Sequence, residues 1–191
     1  SACSVVSINE DKERRAQRSA AFDSQAYVAH NWNSRIVPEI QHDAVPLAKV
    51  LPAIAANLDA AGRAHGRIAS EGAPYVFKVS GLGKIAMIDR SSRTGSITLF
   101  LGALTNKQAR LLIGPVLVNS DIRDSLPFID FNNFADQSAF AAINRALNTM
   151  ALRALPTDLK VGDTIRFIGV MSVARADAPV EIMPVQVERA N

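Results

Sequence analysis

Cysteine is all but missing from this chain of 191 residues: Cys3 stands alone, so neither an internal disulfide nor a zinc thiolate cluster is available to it. Histidine is nearly as scarce. His30, His42 and His65 all lie in the N-terminal half, and no HxH or HExxH spacing joins them, so His30 reads as a partly exposed helical histidine rather than a metal ligand. Aromatic residues make up 6% of the chain and are not interleaved with basic ones, as base-stacking surfaces require. Neither sign of charge dominates. With 21 Lys and Arg against 18 Asp and Glu the net charge is +3, weak attraction for a polyanion when spread over a whole domain, and nucleic acid is not an expected partner. Long apolar runs are absent too: Arg, Asp, Lys or Asn interrupts each one well short of the roughly 18 residues a membrane-spanning helix needs. Gly81-Leu82-Gly83 lacks the third glycine, the GK[ST] and the following helix of a phosphate loop, and no carboxylate-rich calcium loop is present. No cofactor is expected.

Hydrophobic residues amount to 48% of the chain, enough for one substantial core without staples. The N-terminus reads as an address. Ser1 and Ala2 are small residues directly before Cys3, the arrangement in which a leader is cleaved and the new N-terminal cysteine takes lipid; an ordinary buried or unpaired cysteine is the bland alternative. Glu10 to Arg18 is densely charged without an apolar stripe, as a solvated tether would be. Residues 1–21 are therefore expected to be anchor and tether, 22–70 a helical region packed on a barrel, and 71–191 the barrel domain.

Within 22–70, Asp23 or Ser24 is a candidate N-cap for a first helix carrying Tyr27, Trp32, Ile36, Val37 and Ile40, with Pro38 near its end. Leu47, Val50, Leu51, Ile54 and Leu58 form the stripe of a second helix that starts at Pro46 and bends or restarts at Pro52. Asp59 to Gly66 adds a short helical turn. From Tyr75 the period falls to two: a long strand to Asp89, in which Gly81 and Gly83 mark a bend, then SITLFLGAL and ARLLIGPVLV. Asn133 to Leu155 reads as a helix stopped by Pro156. VGDTIRFIGVMSV and VEIMPVQVE close the chain as a hairpin about the polar turn Ala174 to Pro179. Three strands, a helix and two strands are the chain order of an OB-like five-stranded β-barrel with its helix between strands three and four. The expected class is α+β, a helical N-terminal region followed by that barrel; an open α+β sandwich or another small barrel are the alternatives.

Arg123 to Phe134 (RDSLPFIDFNNF), followed by Gln137, resembles the signature of a domain-of-unknown-function family of predicted bacterial periplasmic lipoproteins. Phe22-Asp23, Tyr27-Val28, Trp32, Ser91 to Gly95, Ile113 to Val116, Leu147-Asn148 and Val161 to Thr164 agree with it, so the resemblance covers nearly the whole chain from Cys3. Departures fall at Asp136, where Asn is expected, at Asn119 to Ile122, and at Met183, where Thr is usual. The resemblance implies a lipid-anchored periplasmic protein without an established activity, often encoded near sugar ABC-transporter components.

One polar constellation stands out. Asp89, Arg90 and Arg93 in one turn, with Arg123, Asp124, Asn132 and Gln137 beside Phe128, Phe131 and Phe134, combine forked cations, amides and rings of the kind that line a sugar or acid pocket. Arg93, Arg123, Asp124, Asn132 and Gln137 are the candidate ligand-binding residues, and Cys3 the lipidation site. The structural alternative pairs Arg123 with Asp124 to hold a loop, buries Phe128 and Phe131 in the core and caps a helix with Asn132 or Asn133. The expected function is a non-enzymatic accessory or binding module for a small polar ligand such as a sugar, or for transporter components. The alternatives are an envelope saccharide hydrolase, with Asp89 and Asp124 facing one cleft about 5 to 9.5 Å apart, and a structural assembly factor.

Overall fold

A computed structural model describes residues 23–102, 108–134 and 136–190; Cys3 and the tether lie outside the described residues. The chain enters through α1 (Ser24–Asn31), whose first turn is capped by the Asp23 carboxylate accepting from the Ala26 amide at 3.0 Å. Pro38 cannot donate to the preceding turn, and the helix absorbs that loss through a π-helical segment, Trp32–Ile36, before continuing as α2 (Val37–His42). A two-residue strand, β1 (Val45–Pro46), leads into α3 (Leu47–Ala56). This helix runs through Pro52 rather than breaking there. The restart falls at Asn57, whose side chain accepts from the Ala60 amide and begins α4 (Leu58–His65), a full helix where a single turn was expected.

After β2 (Gly66–Arg67) come the five barrel strands: β3 (Tyr75–Asp89), β4 (Ser96–Phe100), β5 (Ala109–Leu112), β6 (Thr164–Val173) and β7 (Val180–Arg189). They form the ring β3-β4-β5-β7-β6, which closes because β3 pairs with two neighbours. Its Tyr75–Lys84 half lies against β6 and its Lys84–Asp89 half against β4, with a register shift between Ile85 and Met87. Gly81 and Gly83 sit just before the change of partner. The strand changes partner close to where a bend was expected, and Gly81 has a further reason to lack a side chain: a Cβ on it would come within 2.5 Å of the Phe167 ring opposite. β5 stops at Leu112 because Gly114 takes a left-handed conformation (φ 73°), so the expected strand through Val118 is shorter.

Between β5 and β6 lie α5 (Asp121–Ser125), a 3-10 turn at Phe131–Asn133, and α6 (Gln137–Arg153). α6 begins later than Asn133, because Asp136 is its N-cap and accepts from the Ala139 amide at 2.9 Å. Asp136 thus serves the same purpose as the asparagine that the family pattern would place there.

Strand alternation builds two cores. Phe77, Val79, Ile85, Leu99, Leu111, Ile165, Phe167 and Ile182 fill the barrel, covered by Leu47, Val50, Leu51 and Ile54 of α3. Val76, Val170, Met183 and Val185 face outward onto Trp32, Ile36, Ile40, Ile122, Leu126, Ile143 and Leu147. Burial of each such side chain is worth about 1.5–3 kcal/mol. Asn148, buried on α6, ties down the connection after β5 by donating to the Asn119 carbonyl at 2.9 Å and the Leu117 carbonyl at 3.3 Å.

Asn148→Ala takes the side-chain donor from the Leu117 carbonyl and leaves the Asn119 carbonyl to the Asn144 amide alone, at 3.1 Å, and is expected to cost about 1–3 kcal/mol of stability. A urea titration reads this as a lowered midpoint with an unchanged slope.

A polar cleft beneath the signature segment

Arg67 in β2 is the wall on which the cleft is built. Its backbone pairs with Val76 at the start of β3, and its Nε donates to the Asp124 carbonyl at 3.2 Å, across a separation of 57 residues. On one side of it lies a cavity of about 300 Å³ lined by Ser70, Arg123, Asp124, Asp130, Phe131, Asn132 and Phe140. On the other side, a cavity of about 620 Å³ is lined by Glu39, Asp43, His65, Ile68, Lys78 and Ser125. Arg67 lines both.

In the smaller cavity Arg123 and Asp124 are paired with each other. The Arg123 Nε and Nη2 both lie 2.9 Å from Asp124 Oδ1, the Ser120 hydroxyl donates to Asp124 Oδ2 at 2.6 Å, and the guanidinium stacks on the Phe140 ring with its carbon 4.0 Å from the centroid. Forked, stacked contacts of this kind use up most of an arginine's geometry. The remaining polar groups are more open. Asn132 is exposed, its backbone amide held by Asp130 Oδ1 at 2.8 Å. Phe131 is 49% exposed and meets Phe140 edge to face at 5.6 Å. Phe128 is half-buried with the Arg35 guanidinium stacked on it at 3.8 Å. Neither Phe128 nor Phe131 fills the barrel, contrary to the structural expectation, because both sit on the outer layer between α5 and α6.

In the larger cavity the chemistry centres on Lys78. It is 8% exposed and donates to Glu39 Oε1 and Asp43 Oδ2, each at 3.0 Å. Such a pair has lost most of its hydration and is held by geometry rather than by net attraction. Hydrogen bonds from His42 and then Lys78 hold the Asp43 carboxyl below the usual aspartate range, so its contribution to stability is present above that range and fades as the pH falls through it. Asp121 behaves in the opposite way. It is buried as the first residue of α5 and bonded to Ser172, and desolvation pushes its carboxyl above the ordinary value.

Of the five residues expected to bind ligand, Arg123, Asp124 and Asn132 meet in the smaller cavity. Arg93 does not join them. Its side chain is exposed in the turn after β3, and its carbonyl accepts from Val116 at 3.0 Å. Gln137, the exposed first residue of α6, lines neither cavity. Asp89 closes the same turn as Arg93 by accepting from the Ser91 amide and hydroxyl and the Ser92 amide, which holds its carboxyl far below the usual range. It lies at the far end of β3 from the strand's contact with β2 and lines neither of these cavities, whereas Asp124 lines the smaller one. Sequence reasoning missed Arg67, Ser70, Glu39 and Asp43. For Lys78 there was a signal, a cation between Val76 and Ser80 on one face of an otherwise apolar strand. Arg67 had none.

A closed five-stranded ring with a long first strand that changes partner and a helix between its third and fourth strands defines an OB-fold domain, here with a helical N-terminal region packed on both cores. A solved OB-fold protein from Thermotoga maritima is similar with a TM-score of 0.74 and 16% identity, over 89% of this chain and 99% of that one, a likeness of fold alone. No curated protein gives a match. The family model described as "Predicted periplasmic lipoprotein (DUF2291)" matches residues 1–188, and the chain belongs to that family. Its place is the periplasm, attached to a membrane through lipid.

Because the folded state holds the Asp121 proton more tightly than the unfolded chain, Asp121 favours folding least above the ordinary aspartate value of 3.8. Asp121→Asn is expected to be at least as stable as the parent at pH 7 and to lose less stability as pH rises from 4 to 7, measured by denaturant midpoints across that range.

Proposed function

We propose that this periplasmic lipoprotein is a non-catalytic binding module, held to its membrane by lipid on Cys3, that receives a small polar ligand of sugar type in service of carbohydrate uptake. The observation that carries the reading is the unsatisfied donor set in the smaller cavity. The terminal nitrogens of Arg67 have no hydrogen-bond partner among the described residues, and Arg67 lines the same cavity as Ser70, Asn132 and Phe131. Forked donors, an amide and an apolar ring face are what vicinal hydroxyls and a sugar ring require. Arg123 and Asp124 act as the frame, since each already holds the other. The uptake link rests on the resemblance to lipoproteins encoded near sugar transporters.

In a thermal-shift screen of monosaccharides, uncharged oligosaccharides, sugar acids and polyols, a ligand at one hundred times its Kd is expected to add about 2.7 kcal/mol, or about 5–10 °C. Arg67→Gln is expected to abolish that shift while melting like the parent. Arg123→Ala is expected to melt lower even without ligand, because it strands the half-buried Asp124 carboxylate. No shift with any compound overturns the reading. For Cys3, mass spectrometry of the protein made from its full precursor in a bacterial host is expected to show an acylated N-terminal cysteine; an unmodified thiol removes the anchor.

A further inference from the structure

The two cavities share Arg67 in their linings. Ile68 lines the larger and Ala69 the smaller; Ser125 lines the larger and Asp124 the smaller. Each wall therefore presents neighbouring residues to opposite sides, and Arg67 reaches both. In the smaller lobe Arg67 and Arg123 face Asp124 and Asp130; in the larger, Lys78 and Arg67 face Glu39 and Asp43. Because Arg67 is shared, the cleft as a whole sets three cations against four carboxylates, a formal charge of −1.

We infer that the cleft takes an uncharged oligosaccharide of two or more units lying across Arg67, one unit in each lobe, in preference to a monosaccharide or a sugar acid. The inference rests on the binding-module reading above and names its ligand class. An anion entering a lobe whose cations already face carboxylates gains no net field and meets Asp130 or Glu39 besides. Hydroxyl groups suffer no such penalty, because each both donates to a carboxylate and accepts from a guanidinium. Length matters because a single ring fills one lobe and leaves the other to water, whereas a linked second ring enters as an intramolecular event.

The test is calorimetric titration of the whole chain with glucose, galactose, their uncharged disaccharides cellobiose, maltose and lactose, the trisaccharide maltotriose, and glucuronate. At least one disaccharide or trisaccharide is expected to bind ten-fold or more tightly than either monosaccharide, and glucuronate no more tightly than glucose. Two variants localise the units. Asn132→Ala in the smaller lobe is expected to weaken monosaccharides and oligosaccharides alike. His65→Ala in the larger lobe is expected to weaken only the oligosaccharide, about ten-fold, with an unchanged melting temperature. A monosaccharide that binds as tightly as every oligosaccharide overturns the two-lobe inference and leaves the binding-module reading standing. Tighter binding of glucuronate overturns the charge argument in the same way. No binding by any sugar overturns both.

Discussion

Everything in this molecule depends on one strand having two partners. β3 pairs with β6 along its first ten residues and with β4 along its last few, changing over at Lys84. Without that change of partner the sheet has two open edges, each a row of unpaired amides and carbonyls; with it, the ring closes and every barrel strand has two neighbours. Closure requires a bend, and the bend requires residues without side chains. At Gly81 the space above the backbone is taken by the Phe167 ring. The turn of Val161 to Thr164 completes the joint, with Gly162 donating to the Ile85 carbonyl and Ile85 to the Asp163 carbonyl, each at 2.8 Å.

A closed barrel has an outside as well as an inside, and here the outside is half core. The strand face that carries Val76, Val170, Met183 and Val185 is covered by α1, α2, α5 and α6. The cleft forms where that cover ends, between β2, the end of α4 and the segment after α5. Its charged residues sit at the margin of an apolar layer, where water is partly excluded and an isolated charge is costly. This explains why Lys78 is matched by Glu39 and Asp43, and Arg123 by Asp124. It also explains why one arginine, Arg67, can reach both lobes: a two-residue strand holds it against the barrel edge.

The agreeing blocks of the family resemblance divide by physical role. Asp89 with Ser91 to Gly95 forms a self-bonded turn, and Gly95 takes a left-handed conformation with its carbonyl accepting from Ile113. Leu147 and Asn148 serve the outer core and the loop that crosses it. The Arg123 to Phe134 block borders the polar cleft, and even there Arg123, Asp124 and Phe128 are bound into the frame while Asn132 and Phe131 stay open. A segment can be distinctive because it builds a wall, and the groups that face the space beyond it then come from elsewhere.

Local chemistry made much of the architecture legible before any coordinates. The period of two from Tyr75, the glycine pair in the long strand, the apolar stripes of the helices and the polar turn from Ala174 to Pro179 are short-range patterns, and they fixed the order of three strands, a helix and two strands. Boundaries were less secure wherever a distant contact decided them: Asp136 rather than Asn133 caps α6, Asn57 rather than Pro52 restarts the second helix, and Pro38 yields a π segment instead of an end. The site was half legible. Arg123, Asp124 and Asn132 are near one another in the chain and meet in one cavity, but Arg93 and Gln137 share only composition with them. Arg67 stands 57 residues from the carbonyl it holds, and Glu39 lies 39 residues from Lys78. By itself the sequence determined the barrel, its helical companions and the family. Only tertiary structure decided which charges meet, because pairing across such separations is set by how the helical layer lies on the sheet, and no local pattern encodes that.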